Sequence, residues 1–287
     1  KNEHGEGVDE NTLIGLSVAL ECFPALARTV RPEAAREILS EKSLWTRKSA
    51  ADYRDQLEAY VQQGASAESA LRKFAQRERL RIAIRECCTH ALFTETVREI
   101  SDLADTCIDF AWTKAAEELT LKHGTPRDEN GAPIPLTILG MGKLGGSELN
   151  PGSDVDIVLF YETDAGACDK SGAAPAEFFT RACQRLCTLL EAPTEDGIVW
   201  PVDLRLRPEG KRGPVAISAA RAEQYYEAWG RTWERAALLR ARPVGGDEGD
   251  HHQEARGRLV DAHAELLHQR RQRRGGRLQL VLHLHLR

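Results

Sequence analysis

The sequence predicts an α+β protein, in which an all-helical region is joined to a domain of strands mixed with helices. Two observations carry this. Residues 12–122 place apolar side chains at three- and four-residue steps, the period of helices with one buried face. From residue 134 onward, short apolar runs bounded by Gly and Pro alternate with helical patterns, the mixture expected of an α+β domain.

Taken in order, residues 1–11 are polar and read as a loose N-terminus. Leu13, Ile14, Leu16, Val18 and Leu20 open the helical region of 12–122, Pro24 and Pro32 punctuate it, and AAREIL resumes a helix. ADYRDQLEAYVQQG turns Tyr53, Leu57 and Tyr60–Val61 inward and stops at Gly64. SAESALRKFAQRERLRIAIRECC starts at Ser66. Leu71, Phe74, Leu80, Ile82 and Ile84 form its apolar stripe, and its crowded Arg and Lys side chains are expected on a solvated face. TETVREISDLADTCIDFAWTKAAEELTL aligns Val97, Ile100, Leu103, Ala104, Cys107, Ile108 and Trp112.

Residues 123–133 (HGTPRDENGAP) read as a hydrophilic linker. The α/β core is expected over 134–217: a buried strand at 134–140, a glycine-rich turn at 141–150, a second strand at 154–161 and a helix at 176–190. A third strand is expected at 197–206, where Pro201 argues for an edge or a bulge. Residues 218–246 read as a helical continuation, with helices at 218–229 and 231–242. The tail 247–287 has no Phe, Trp or Tyr and is rich in Arg and His. A His-rich tract can bind metal, but the abrupt loss of pattern reads as a shifted reading frame or a disordered tail. The chain begins at Lys1 rather than Met, which reads as a fragment or an incomplete frame.

The totals exclude several function classes. A net charge of −5 and a pI of about 6.0 give little attraction to the phosphate field of nucleic acid, so no nucleic-acid partner is expected. No run approaches the roughly 20 apolar residues of a membrane span. Seven cysteines without a secretory leader indicate a reduced, cytoplasmic compartment. Cys183 and Cys187, four apart on a helix, are expected as buried free thiols because no second pair has zinc-ligand spacing.

The chemistry lies in GMGKLGGSELNPGSDVDIVLFY, residues 140–161. Asp154 and Asp156 are two apart at the head of an apolar strand, so both carboxylates project from one face. Like charges so close repel, and a bound divalent cation removes the conflict; hard oxygen ligands favour Mg²⁺. Gly145 and Gly146 are expected to let the backbone approach a ligand. Ser147 is expected to cap a short helix through Glu148 and Leu149, making a phosphate cradle. A phosphate cradle beside a two-carboxylate metal site implies phosphoryl or nucleotidyl transfer. In VDLRLRPEG, Asp203 supplies a third carboxylate. By period two, Arg205 and Arg207 share its face as candidate phosphate contacts, and Lys143 is a further one.

The blocks GMGKLGGSELNPGSDVDIVLFY, VDLRLRPEGKRGPVAIS and QYYEAWGRTWERAALLRARPVGGD together resemble the bifunctional glutamine synthetase adenylyltransferase/adenylyl-removing enzymes, and the helices of LRKFAQRERLRIAIRE and ETVREISDLADTCIDFAW are similar to those before the catalytic sheet there. The resemblance covers about residues 40–247. It implies a polymerase-β-like nucleotidyltransferase domain with a small mixed sheet, preceded and followed by helices. It also implies Asp154, Asp156 and Asp203 as the catalytic, metal-binding triad for two Mg²⁺ ions. Gly145, Gly146, Ser147, Lys143, Arg205 and Arg207 are implied at nucleotide or phosphate, with ATP or ADP and phosphate as substrates or products. In that family one unit removes AMP from a synthetase tyrosine by phosphorolysis, giving ADP, and a second adds AMP from ATP. The motifs here look more like the N-terminal, adenylyl-removing unit. The implied partner is glutamine synthetase, with a PII-type signalling protein as a regulator of the full-length enzyme. The competing readings are an inactive truncated fragment serving only as a glutamine synthetase-binding module, and another polymerase-β-like nucleotidyltransferase.

Overall fold

The computed structural model describes residues 10–24, 27, 32–40, 44–63, 66–88 and 91–247. The expectations for the N-terminal nine residues, Gly64 and the tail from residue 248 lie outside them. Helices α1 (Glu10–Cys22), α2 (Pro32–Ser40), α3 (Ala50–Gln62), α4 (Ala67–Cys87) and α5 (Phe93–His123) come first. Their starts follow from local chemistry. Ser49 caps α3 in a capping box: its hydroxyl accepts from Asp52 N at 3.3 Å, and its own amide donates to Asp52 Oδ2 at 2.7 Å. Ser66 Oγ accepts from Ser69 N at 3.2 Å and so starts α4. Gly124, at φ +81°, ends α5.

Helix α4 packs against α1, α2, α3 and α5, and its basic side chains, Lys73 apart, are not on a solvated face. Arg72, Arg81 and Arg85 are buried. Arg81 Nε donates to Glu78 Oε2 at 2.6 Å, and its guanidinium also meets Glu99 and the Tyr53 hydroxyl. Arg85 pairs with the other oxygen of Glu99, and Lys48 Nζ lies 3.1 Å from Glu78 Oε1. The correction has a physical cause. The neutralising carboxylates come from α5 and from α4 itself, so charge runs into the core in compensated pairs.

The rest of the chain forms β1 (Pro126–Arg127), β2 (Leu136–Gly140), α6 (Gly142–Gly145), β3 (Val155–Tyr161), β4 (Ala167–Cys168), α7 (Pro175–Glu191), β5 (Val202–Asp203), β6 (Ala216–Ser218), α8 (Ala219–Ala228), α9 (Thr232–Leu238) and β7 (Arg242–Gly246). Among the described residues the main sheet is five-stranded and mixed. Its order is β5-β3-β2-β7, with β6 also pairing β3. β2 is antiparallel to β3 and β7, whereas β5 and β6 are parallel to β3. The supposed linker 123–133 contributes β1, which pairs with β4 in a two-stranded ribbon. The supposed helical continuation ends in a strand, β7, whose composition of Pro243, Gly245 and Gly246 gives it no apolar alternation to read.

One core unites the two regions. Trp112 of α5, Phe179 of α7 and Tyr161 of β3 stack in series, with ring centroids 6.4 Å and 4.7 Å apart. Helix α7, opened by Pro175, turns Phe178, Phe179, Leu186, Leu189 and Leu190 into this core; each contributes about 1.5–3 kcal/mol by burial. Cys183 and Cys187 are buried free thiols on the same face. Alternate residues of β3 serve different layers. Val155, Ile157, Leu159 and Tyr161 join the large core, while Val158 and Phe160 join a smaller cluster with Ala222 and Tyr226 of α8 and Leu238 of α9. No helix among the described residues is long and apolar enough to cross a membrane.

Candidate active site

Asp154 immediately precedes β3 and Asp156 is its second residue. Both have the parity of Val158 and Phe160, so they continue the face that α8 and α9 cover farther along. At this end the cover stops: Asp154 is exposed and Asp156 half-buried. The parallel pairing of β3 with β5 sets Val155 opposite Val202 and Asp156 opposite Asp203. The third carboxylate therefore arrives beside the second through a register that joins segments far apart in the chain.

Helix α4 and a loop hold β5 in place. Arg72 donates to Gly197 O at 3.1 Å and to Ala192 O at 2.9 Å. Ser69 Oγ donates to Asp196 Oδ2 at 2.7 Å, and Gln76 donates to Asp196 O. The Arg79 guanidinium lies over the Trp200 ring at 4.1 Å. The segment that delivers Asp203 is thus fastened at four points to a helix more than a hundred residues earlier.

Electrostatics mark Asp156. Burial, then Asp203, then Asp154 raise its pKa above the usual carboxylate value, while Arg205 and Lys143 work against the shift. Asp203 moves the other way, because Arg205 hydrogen-bonds it and Lys211 adds positive charge. Arg205 N donates to Asp203 Oδ1 at 2.8 Å and Arg205 Nε to Oδ2 at 2.6 Å. Lys211 carries no motif that marks it in the sequence. Its only local signal was a basic pair inside the glycine-bounded PEGKRG loop.

The structure corrects the expected strand at 197–206. The ladder ends at Asp203 and the chain turns, so Arg205 and Arg207 do not share its face by period two. Arg207 instead donates to the carbonyls of Gly213 at 3.2 Å, Leu204 at 2.9 Å and Lys211 at 3.4 Å, binding its own loop together.

The glycine turn is also corrected. The helix, α6, precedes Gly146, and Ser147 follows it in the left-handed region at φ +54° rather than capping a helix. The amides of Gly145, Gly146, Ser147 and Glu148 donate to Met141, Gly142, Leu144 and Lys143 carbonyls, so they do not form a cradle. Gly145 is required by packing: a Cβ there would lie 2.0 Å from Arg240 O and 2.6 Å from Gly140 O. Gly145→Ala is expected to cost about 1–3 kcal/mol in urea unfolding, because both obstacles are backbone. An unchanged midpoint would sink that account. The N-terminus of α6 faces the carboxylates instead. Gly142 sits at φ +53°, and a Cβ on it would meet Asp156 Oδ2 at 3.2 Å. The amides of Gly142, Lys143 and Leu144 precede any intrahelical acceptor. Arg242 ties this turn to the frame, donating to Leu144 O at 3.0 Å and to Asp105 Oδ2 at 2.6 Å. Burial pushes the Asp105 carboxyl up to about 6, against the pull of Arg242.

Among the described residues, no three His, Cys, Asp or Glu side chains are gathered as a closed metal centre. Both oxygens of Asp203 are turned onto Arg205. The donor set itself, three carboxylates with one held above its usual pKa by burial and by the other two, fits a hard dication.

Comparison with known proteins identifies the family of the chain. Three relatives, each called a bifunctional glutamine synthetase adenylyltransferase/adenylyl-removing enzyme, are similar to this chain. The protein of Thioalkalivibrio sulfidiphilus is 41% identical over 229 residues, which is 78% of this chain and 24% of the relative. That of Pseudomonas aeruginosa is 42% identical over 205 residues, 69% of this chain and 21% of the relative. That of Methylococcus capsulatus is 42% identical over 180 residues, 63% and 19%. The chain thus spans about a quarter or less of the length of these curated relatives. The sequence model described as "Glutamate-ammonia ligase adenylyltransferase" matches residues 16–257, from within α1 to beyond β7. Because that match covers most of the chain, this chain belongs to the glutamate-ammonia ligase adenylyltransferase family.

Proposed function

We propose that this chain is a nucleotidyl-transfer unit acting on a tyrosine of glutamine synthetase, and that its direction is phosphorolytic removal of AMP. The observation that carries the reading is the register of Asp156 against Asp203, with Asp154 on the same face. The names of the relatives, which include both adenylyltransferase and adenylyl-removing activities, support the substrate.

Asp154, Asp156 and Asp203 would hold divalent cations, Mg²⁺ by donor chemistry, which when bound neutralise charge developing on the phosphoryl oxygens. The protein's own residues do the rest. The first-turn amides of α6 and the exposed Lys143 are the donors for phosphate oxygens, in place of Gly145, Gly146 and Ser147. Lys211 and Arg205 supply positive charge at Asp203. In removal, a phosphate oxygen attacks the adenylyl phosphorus. The new P–O bond makes ADP as the bond to the tyrosine oxygen breaks, and that oxygen takes up a proton. In the reverse sense, Asp203 is the group to orient an incoming tyrosine hydroxyl.

The test uses adenylylated glutamine synthetase with phosphate and Mg²⁺. ADP release that requires phosphate is the expected result. AMP transfer from ATP to unmodified synthetase, with no ADP release, would reverse the direction. Inactivity of the folded chain in both assays would overturn the reading.

A further inference from the structure

Asp203 does not stand free as a ligand. Its side chain is only 11% exposed, and the cation hydrogen-bonded to it, Arg205, is 67% exposed. The Arg205 amide holds Oδ1, while the guanidinium holds Oδ2 through Nε at 2.6 Å and also through Nη2. The contact spans two residues of one turn. Rotation of the Arg205 side chain alone breaks the ion pair, with no strand or helix moved, and the amide keeps Oδ1 in place. An ion pair whose cation is mostly in water is weak. Arg207 contrasts with it, anchored by three carbonyls of its own loop. Arg205 also acts electrostatically on Asp156 and Asp154, so its charge reaches all three carboxylates.

We propose that Arg205 is a displaceable counter-cation: it occupies Asp203 until a divalent cation takes that carboxylate, and the released guanidinium then faces the phosphoryl oxygens of the substrate. This rests on the reading of Asp154, Asp156 and Asp203 as metal ligands. It makes Arg205 a competitor of the metal and a positioning residue for phosphate. Loss of Arg205 therefore tightens metal binding while it weakens phosphate binding. A residue that merely shaped Asp203 would weaken metal binding when removed.

The experiment titrates Mn²⁺ into the whole chain by calorimetry for wild type, Arg205→Gln, Arg205→Lys and Asp156→Asn. Arg205→Gln is expected to bind Mn²⁺ about fivefold tighter, as removal of a weak exposed pair allows. Its KM for inorganic phosphate in ADP release is expected to rise about tenfold. Arg205→Lys is expected to fall between, since a lysine keeps the charge without the fork. Unchanged or weaker Mn²⁺ binding by Arg205→Gln, with Asp156→Asn abolishing binding, would overturn the counter-cation role and leave the carboxylate reading intact. Absence of Mn²⁺ binding by wild type would overturn both.

Discussion

Asp156→Asn is expected to lower the rate of adenylyl transfer by about 10³-fold or more, roughly 4 kcal/mol of barrier, while leaving the metal-free protein as stable as before or more so. The two halves have one cause. Asp156 is surrounded by burial and two carboxylates that raise its pKa. A carboxylate whose folded pKa lies above its unfolded value favours the native state fully only at low pH. That contribution is lost as pH rises from the ordinary carboxylate range through the raised folded value. At pH 7 the ionised side chain therefore opposes folding, and an asparagine does not. The expected measurement is thermal unfolding in EDTA. The variant should melt at or above wild type at pH 7, and the difference should shrink as pH falls toward about 4. Added Mg²⁺ should raise the melting temperature of wild type alone. A variant several degrees less stable at pH 7 would show that Asp156 is a structural residue.

Glu99→Ala is the substitution expected to damage the fold most. Glu99 is fully buried and takes hydrogen bonds from Lys48 N at 2.9 Å and Tyr53 OH at 3.2 Å, as well as contacts from Arg81 and Arg85. Truncation leaves two buried guanidiniums facing each other with Glu78 as the nearest acid. Removing one partner of a buried pair costs about 3–5 kcal/mol, because the other charge stays behind without compensation. For a chain of this size that corresponds to a fall in melting temperature of roughly 10 °C. Glu99→Gln, which keeps the acceptor but not the charge, should fall between. A loss below about 1 kcal/mol for Glu99→Ala would mean that water or a rearranged partner replaces the carboxylate. Helix α4 also fastens the loop before β5. Glu99→Ala should thus lower activity at temperatures where the chain is still folded, through a looser Asp203.

Much of the architecture was legible in the sequence because it is local. The helices at Ala50–Gln62, Ala67–Cys87, Phe93–His123 and Pro175–Glu191 follow from apolar spacing and from caps within four residues of their starts. The strand Val155–Tyr161 carries a continuous apolar run from Ile157 to Tyr161, buried on both faces as such runs are. That Asp154 and Asp156 share a face needed only the two-residue period. What depended on distant partners was not legible. Arg81 and Arg85 read as solvated because the carboxylate they share, Glu99, lies on another helix. Gly145 read as a ligand-facing glycine because the backbone it accommodates, at Arg240, is far along the chain. Arg242–Gly246 reads as part of a helical continuation because its pairing with β2, not its composition, makes it a strand. Periodicity reports how each residue meets its nearest surroundings, whereas register and counter-charge are fixed by which segments meet. The sequence by itself determined the carboxylates and the strand that carries two of them. Only the tertiary structure set Asp203 opposite Asp156, because that contact exists through the β3–β5 ladder and the helix that braces it.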